Sequence, residues 1–269
     1  MVGVEDDELM SYFLKDKWVL ITGASSGFGA GAARAFGACG CRLLVGARRV
    51  DRLEQTAAAA LEAGAREALV YPLDVASTAS VTSFMEWVSF KTNALDVLIN
   101  NAGGAHGLDP VATATDADWE AMFQSNVLGL LRVTRAAIPM LLKVPGSSII
   151  NIGSYAAHVA YEGGAAYCAA KAGELKITQA LRLELAGTGV RVSTVDPGLA
   201  ETEFALVRFK GDKARAAKLY EGTQPLTAED IGETLVWVAS RPAHVNIDEM
   251  LIKCVDQAAM HKVHRRPKS

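Results

Sequence analysis

A tyrosine and a lysine lie four residues apart in the segment YCAAK, residues 167–171. Side chains at this spacing share one face of a helix, so Tyr167 and Lys171 can point into the same cavity. A phenol titrates at about pH 10, and an ammonium group close by stabilises its phenolate form. Such a tyrosine can donate a proton in one direction of a reaction and accept one in the other. The pair predicts general acid/base chemistry, with an exposed pair on a helix surface as the alternative.

Two other tyrosines, Tyr155 and Tyr161, precede this pair, and neither has a lysine four residues later. For them we predict packing or, for Tyr161, contact with a substrate. Ser154 follows an apolar segment and precedes Tyr167 by 13 residues. Its hydroxyl can hydrogen-bond the reacting oxygen and fix the substrate in position.

A glycine-rich segment, TGASSGFG (22–29), separates the first predicted strand from the first predicted helix. Glycine permits a tight turn, and the free N–H groups and positive dipole end of a following helix bind a pyrophosphate. The spacing is G-x-x-x-G-x-G rather than the commoner G-x-G-x-x-G, and a turn without a ligand is the alternative. The candidate contacts are Gly23, Ser25, Ser26, Gly27, Phe28 and Gly29.

The end of the second predicted strand, VGARR, indicates which dinucleotide this segment would bind. An NAD site usually carries an acidic residue here for the ribose 2′-hydroxyl, but this chain has Ala47. Arg48 and Arg49 follow, and a guanidinium group can pair with a 2′-phosphate. We therefore predict NADP(H), with two solvated arginines as the alternative.

Apolar strand patterns and helical patterns alternate along the chain. The predicted strands are 17–23, 41–47, 67–74, 95–103, 147–154, 190–196 and 246–253, and the predicted helices are 28–39, 49–64, 78–92, 114–143, 166–187 and 227–240. Continuous apolar strands separated by helices are typical of a parallel sheet covered on both faces. We predict an α/β fold: one doubly wound, Rossmann-type domain over residues 1–269, with about seven parallel strands.

Composition excludes several classes of function. The net charge of −3 argues against a general affinity for nucleic acid or an anionic membrane. No apolar run of about 18 residues is present, and the acidic N-terminus does not resemble a signal peptide. The four cysteines and five histidines lack metal-ligand spacing. We expect a cytoplasmic protein without a metal site.

Seven motifs in order resemble the short-chain dehydrogenase/reductase family. They are TGASSGFG, LDV (73–75), NNAG (100–103), SNVLG (125–129), NIGS (151–154), YCAAK and DPGLAET (196–202). The resemblance covers residue 17 to about 253. It implies a Rossmann-type sheet, a nicotinamide cofactor and a homotetramer in which helices 114–143 and 166–187 pack between subunits.

The resemblance also implies roles for individual residues. Tyr167 would be the acid/base, Lys171 its activator, Ser154 the carbonyl anchor and Asn126 a relay member that holds a water leading to the lysine. Asn126 lies within a predicted helix, where asparagine is unfavourable, and such a breach of propensity is typical of a functional site. Further implied cofactor contacts are Asp74, Val75, Asn101, Gly103, Pro197, Gly198 and Thr202, together with Tyr167 and Lys171. For Asp74 a strand-end Asx turn is the alternative.

Residues 199–224 are long for a connection within such a fold, which is typical of a substrate lid. Arg208 and Lys210 in this segment could pair with an anionic substrate, and solvated charges or subunit contacts are the alternative. We expect the C-terminal tail, 254–269, to be a solvated basic end or a subunit contact. Residues 1–16 are a predicted N-terminal extension.

Segments 201–212 and 226–248 are similar to the NADP-dependent 3-hydroxy acid dehydrogenases. That group includes enzymes that act on serine and reductases of malonic semialdehyde and of sulfoacetaldehyde. This implies hydride transfer between nicotinamide and a small 3-hydroxy acid, 3-oxo acid or related aldehyde. A reductase for apolar ketones is the alternative, because Phe204, Leu206 and Phe209 are apolar. A nucleotide-sensing regulator on the same fold is a further alternative. It is disfavoured because such proteins have typically lost the tyrosine or the lysine, and this chain retains Tyr167 and Lys171.

Overall fold

A seven-stranded sheet organises the computed structural model, which describes residues 13–267. The strands are β1 (Trp18–Thr22), β2 (Arg42–Ala47), β3 (Glu67–Pro72), β4 (Val97–Asn100), β5 (Ser148–Ile152), β6 (Arg191–Pro197) and β7 (Glu249–Ile252). All neighbours are parallel, in the order β3-β2-β1-β4-β5-β6-β7. The prediction of a doubly wound parallel sheet is confirmed. Of the predicted N-terminal extension, residues 1–12 lie outside the described part.

Helices cover both faces of this sheet. They are α1 (Gly27–Ala38), α2 (Val50–Ala63), α3 (Thr78–Lys91), α4 (Asp116–Met122), α5 (Gly129–Leu141), α6 (Ala165–Glu184), α7 (Phe204–Arg208), α8 (Lys213–Tyr220) and α9 (Ala228–Ala239). Successive residues of a strand face opposite sides. Val19 and Ile21 therefore pack with α1, α2 and α9, whereas Leu20 packs with α3, α5 and α6. These two buried layers hold the carboxyl ends of the strands, where the predicted site residues lie.

The long helix predicted over 114–143 contains a π-helical segment at Phe123–Leu128, between α4 and α5. The side chain of Asn126 donates its Nδ2 to the carbonyl oxygen of Met122 at 2.7 Å. An α-helix would use that i−4 carbonyl for the backbone N–H, so the side chain competes with the backbone for it. π-Helical turns occur mostly as short insertions within α-helices, frequently at functional sites.

The C-terminal tail differs from the expected solvated end. It carries a small antiparallel pair, β8 (Gln257–Ala259) and β9 (Lys262–Val263), which the sequence patterns did not predict. The backbone N–H of Arg266 donates to Gly222 at 2.7 Å, and the Gln257 side chain accepts from the N–H of Leu199 at 2.7 Å. The buried carboxylate of Asp256 pairs with the Arg266 guanidinium at 3.1 Å. The tail therefore packs on both ends of the 199–224 segment.

Candidate active site

Tyr167 and Lys171 lie one turn apart in the first half of α6, and both are buried, with exposures of 8% and 7%. The alternative of an exposed surface pair is therefore wrong. Lys171 Nζ donates to the carbonyl oxygen of Ile152 at 2.7 Å, which ties α6 to the end of β5. Ser154 lies two residues after Ile152 in the chain, so the fold brings the tyrosine, the lysine and the serine to one edge of the sheet.

Ser154 begins a short 3₁₀ turn, Tyr155–Ala157, directly after β5. Its Oγ accepts a hydrogen bond from the N–H of Ala156 at 3.1 Å. A hydroxyl that accepts in this way still has its own hydrogen to donate. The cap therefore fixes the position of the oxygen and leaves a donor for a substrate oxygen.

Arg208, at the end of α7, brings the 199–224 segment onto Tyr167. Its guanidinium carbon lies 5.5 Å from the Tyr167 ring centre and 5.2 Å from that of Tyr161. It donates to the Tyr161 hydroxyl and, at 3.3 Å, to the carbonyl oxygen of Gly107. Burial raises the pKa of Tyr161, and the charge of Arg208 offsets part of that rise. Phe204 of the same helix packs 5.4 Å from the Tyr167 ring.

The two cations predicted in this segment differ in their surroundings. Lys210 is exposed and pairs with Asp118 at 3.0 Å, and this hydrogen bond lowers the pKa of the Asp118 carboxyl. Arg208 is only 9% exposed, and within residues 13–267 its hydrogen-bond partners are the neutral Tyr161 and Gly107. The polar and aromatic residues that line a cavity beside it are His106, Asp109, Asp118, Trp119, Tyr167 and Arg208. The structure thus separates a guanidinium beside Tyr167 from a lysine held at the surface.

Asn126 connects the π-helical segment to the loop after β4. Its side chain donates to the carbonyl oxygen of Gly104 at 2.9 Å and accepts from the N–H of the same residue at 3.1 Å. Asn126 also lines a small polar cavity together with Lys171. Its side chain therefore fixes the loop and reaches the lysine's cavity, while the relay role remains a prediction.

The glycine-rich loop has the shape of an anion cradle. Gly23 has φ of 66°, and a Cβ there would lie 2.8 Å from the Cα of Ala102. A Cβ at Gly29 would lie 2.5 Å from the side-chain nitrogen of Asn101, which donates to Gly23 O at 3.1 Å. The cap of α1, Ser26, forms no side-chain capping bond, and the first turn carries no acidic residue. Free N–H groups of a 12-residue helix thus face the loop, which fits a pyrophosphate.

The arginines after β2 lie next to this cradle. Arg49 donates to Ser26 Oγ at 2.8 Å and to Ser25 Oγ at 3.3 Å. It also pairs at 2.9 Å with Glu203, a residue that sequence analysis missed. Arg52 pairs with the same carboxylate, and its hydrogen bond, followed by that of Arg49, lowers the pKa of Glu203. Arg48 is exposed at the end of β2, directly after the buried Ala47.

The remaining predicted cofactor contacts also lie at this edge. Asp74 forms the Asx turn that was its alternative reading, because its Oδ1 accepts from the N–H of Ala76 at 3.0 Å. Thr202 lies against Gly27, with its Cβ 3.4 Å from where a Cβ of that glycine would be. Phe28 packs against the hydrophobic core, Val75 is buried and Gly103 is exposed. Pro197 is the last residue of β6, and Gly198 follows it.

Glu174 is the second residue that sequence analysis missed. It is 2% exposed, and its Oε2 accepts from Lys171 Nζ at 2.7 Å. The signal was present, because Glu174 lies seven residues after Tyr167 and three after Lys171, on the same helix face.

Residues 17–212 match the family model described as short chain dehydrogenase. The chain belongs to the short-chain dehydrogenase family. The resemblance seen in the seven motifs is therefore confirmed, and with it the assignment to a family of oxidoreductases.

Individual members of the short-chain dehydrogenase family are also similar to the chain. The chain is 43% identical over 249 residues to an NADP-dependent 3-hydroxy acid dehydrogenase of Salmonella typhi, covering 92% of this chain and 99% of that one. It is 42% identical over 243 residues to sulfoacetaldehyde reductase 2 of Chromohalobacter salexigens, covering 89% and 95%. The closed form of a serine dehydrogenase complexed with NADP⁺ superposes with a TM-score of 0.85 at 39% identity, covering 93% and 100%.

Within residues 13–267 of this short-chain dehydrogenase, no helix combines the length and the apolarity needed to cross a membrane. In the same range no group of three or more His, Cys, Asp and Glu side chains is arranged to hold a metal ion.

Proposed function

We propose that the protein is an NADP(H)-dependent oxidoreductase that interconverts a small 3-hydroxy acid with its 3-oxo acid, or a related anionic aldehyde with its alcohol. The observation that carries this proposal is the buried guanidinium of Arg208 beside the ring of Tyr167, without a carboxylate partner among the described residues. The relatives that act on 3-hydroxy acids, sulfoacetaldehyde and serine support it. The cradle of α1 and the arginines after β2 support NADP(H) as the cofactor.

The residues at the sheet edge divide the proton chemistry among them. When bound, the nicotinamide supplies or accepts the hydride. Tyr167 donates a proton to the carbonyl oxygen during reduction and accepts one from the hydroxyl during oxidation. The ammonium group of Lys171 stabilises the phenolate, and Ser154 holds the reacting oxygen by a hydrogen bond.

Arg208 gives the site its preference for an anionic substrate. A guanidinium group binds a carboxylate or sulfonate through two parallel hydrogen bonds. Because the Arg208 guanidinium carbon lies 5.5 Å from the centre of the Tyr167 ring, an anion bound to it would lie beside that tyrosine. A short substrate with its charge near the hydroxyl fits this spacing.

Replacing Arg208 tests the substrate class. Arg208→Gln removes the charge, and we expect KM for a 3-hydroxy acid such as serine to rise roughly 10- to 100-fold, since one charge-assisted hydrogen bond contributes about 1.5–3 kcal/mol. Turnover of a neutral alcohol should change little. The control is Lys210→Gln, which removes the surface cation held by Asp118. Equal losses on the anionic and the neutral substrate would contradict this assignment.

A reductase for apolar ketones is the second candidate. Phe204 packs 5.4 Å from the Tyr167 ring and offers an apolar surface beside it. Steady-state rates with an aryl ketone and with serine distinguish the two functions. A higher kcat/KM for the aryl ketone would favour this second candidate.

We expect a homotetramer that uses the helices on either side of the site. Leu131 and Leu142, on and just after α5, and Leu183 of α6 are exposed by 36%, 46% and 80%. Light scattering should give about four times the chain mass of 28.5 kDa. Leu183→Glu should lower that mass, whereas Leu61→Glu, at an exposed leucine of α2, should not. A single species of one chain mass in the unmodified protein would contradict the expectation.

A further inference from the structure

A buried carboxylate lies directly behind the lysine of the candidate active site. Glu174 is 2% exposed on the same face of α6 as Tyr167 and Lys171, and its Oε2 accepts from Lys171 Nζ at 2.7 Å. The ammonium donates a second hydrogen bond to the carbonyl oxygen of Ile152 at 2.7 Å. Two of its three hydrogens are thus engaged by Ile152 and Glu174, and one remains for the site.

The cavity around this ion pair is rich in acceptors. Asn100, Asn126, Lys171 and Glu174 line it, and Lys171 is the only cation among its lining residues within the described chain. Asn100 is 5% exposed, its Nδ2 donates to Thr134 and Asn151, and its Oδ1 has no hydrogen-bond partner within residues 13–267. Such surroundings favour the charged form of the lysine, because buried acceptors stabilise a nearby cation.

Two charged groups act on Glu174, namely Lys171 on its own helix and Asp196 of β6. Asp196 is fully buried, and its carboxylate is bonded at 2.6 Å to His158, which follows the 3₁₀ turn. The neighbouring residues of β5 are not titratable, and the π-helical segment contributes only the neutral Asn126 to this cavity. Glu174 is therefore the ionisable group in direct contact with the lysine.

Burial and pairing act in opposite directions on the two partners. Burial raises the pKa of Glu174 to about 7, Lys171 lowers it in part, and Asp196 adds to the rise. Burial is also the largest single influence on Lys171 and lowers its pKa, but the charge and hydrogen bond of Glu174 together with Tyr167 and Asp196 outweigh it, so the lysine's pKa is raised overall. Burial thus dominates for the carboxyl, and the surrounding groups together dominate for the ammonium. The carboxyl changes charge near neutral pH while the lysine stays protonated.

We propose that Glu174 is a positioning residue for the reaction, which holds Lys171 in place and sets how strongly its charge acts on the Tyr167 phenol. The inference rests on the proposed function, because it assigns the proton transfer to Tyr167. Ionised Glu174 offsets the ammonium, so the phenolate gains less stabilisation. Neutral Glu174 leaves the ammonium charge undiminished and the phenolate more stable.

The first test is the pH profile of Glu174→Gln in the oxidation direction, with serine and NADP⁺. The amide keeps an acceptor for Lys171 but removes the negative charge. Seven helical residues span about 10 Å, and a unit charge at that distance shifts a titration by roughly one pH unit at the effective dielectric of proteins. The acid limb of kcat/KM should therefore move down by about one pH unit. Glu174→Asp, which restores the charge, should move it back.

The second test does not depend on activity. Because the folded-state pKa of Glu174 lies above the unfolded value of about 4.3, its stabilising contribution is complete below that value and is lost as pH rises through about 7. Between pH 5 and 7.5 the free energy of unfolding of the unmodified protein should therefore fall relative to that of Glu174→Gln. The control for both tests is Glu184→Gln, which removes an exposed carboxylate from the end of the same helix.

The outcomes separate this inference from the proposed function. The inference is supported if, in Glu174→Gln, the acid limb of kcat/KM lies at lower pH and the fall in the free energy of unfolding between pH 5 and 7.5 is lost. An active unmodified enzyme whose acid limb is unmoved in Glu174→Gln overturns it, including the case in which kcat alone falls, because a structural role changes the rate without the profile. An unmodified protein that retains the stability slope but oxidises no hydroxy acid overturns the proposed function itself.

Discussion

Tyr167→Phe is expected to remove nearly all activity while the protein remains folded and still binds NADPH. The ring keeps its contacts with Phe204 and Arg208, because only the hydroxyl is lost. A general acid or base contributes roughly 10²–10⁴-fold to a rate, so kcat should fall by about that factor. The measurements are kcat with a 3-hydroxy acid and the fluorescence titration of NADPH.

The matched control for this variant is Tyr155→Phe. Tyr155 lies on the neighbouring 3₁₀ turn, where the ammonium group of Lys253 lies 4.9 Å from its ring centre. The Tyr155→Phe variant should retain most of the rate, since Lys171 does not stabilise the phenolate form of Tyr155. If Tyr167→Phe kept most of kcat, the assignment of the acid/base would be wrong.

A reversal of cofactor preference is the second large effect that we expect. The unmodified enzyme should have a much lower KM for NADPH than for NADH, and Ala47→Asp combined with Arg48→Ala should reverse this order. A carboxylate at the end of β2 would bind the 2′-hydroxyl and repel a 2′-phosphate. One guanidinium–phosphate contact contributes about 1.5–3 kcal/mol, which corresponds to roughly a 10- to 100-fold preference.

The hydrogen bonds of Arg49 refine this experiment. Ser25, Ser26 and Glu203 already hold its guanidinium at the rim of the cradle, whereas Arg48 is exposed. Arg48→Ala alone should therefore lose only part of the preference, and adding Arg49→Ala should remove most of what remains. Arg66→Ala, which removes an exposed arginine paired with Asp16, is the control for a change of charge. Equal kcat/KM values for NADH and NADPH in the unmodified enzyme would refute the interpretation of this strand end.

Much of the fold could be predicted because its signals are local. The run CRLLVGA predicts a buried strand, and the structure places β2 at Arg42–Ala47. The helical pattern over 166–187 corresponds to α6 at Ala165–Glu184. Tyr167 and Lys171 were found in the same way, because their spacing alone places them on one helix face.

The features that could not be predicted depend on distant or competing contacts. The π-helical segment arises where the Asn126 side chain takes a carbonyl that the backbone would otherwise use. Glu174 follows a helical spacing that solvent-exposed glutamates also show, and only the packing around α6 determines that it is buried. Glu203 meets Arg49 across 154 residues of sequence, a contact for which no local pattern exists.

The packing of the tail on the 199–224 segment has a consequence for local unfolding. Leu199 and Gly222, near the two ends of that segment, are bonded to Gln257 and Arg266, and Asp256 accepts from the N–H of Gln224, the last residue of the segment, at 2.7 Å. Local unfolding of the 199–224 segment must break these hydrogen bonds together, since each of them joins that segment to the C-terminal tail. The segment and the tail therefore form one cooperative unit, whose amide protons become exchangeable in a common opening event rather than one by one.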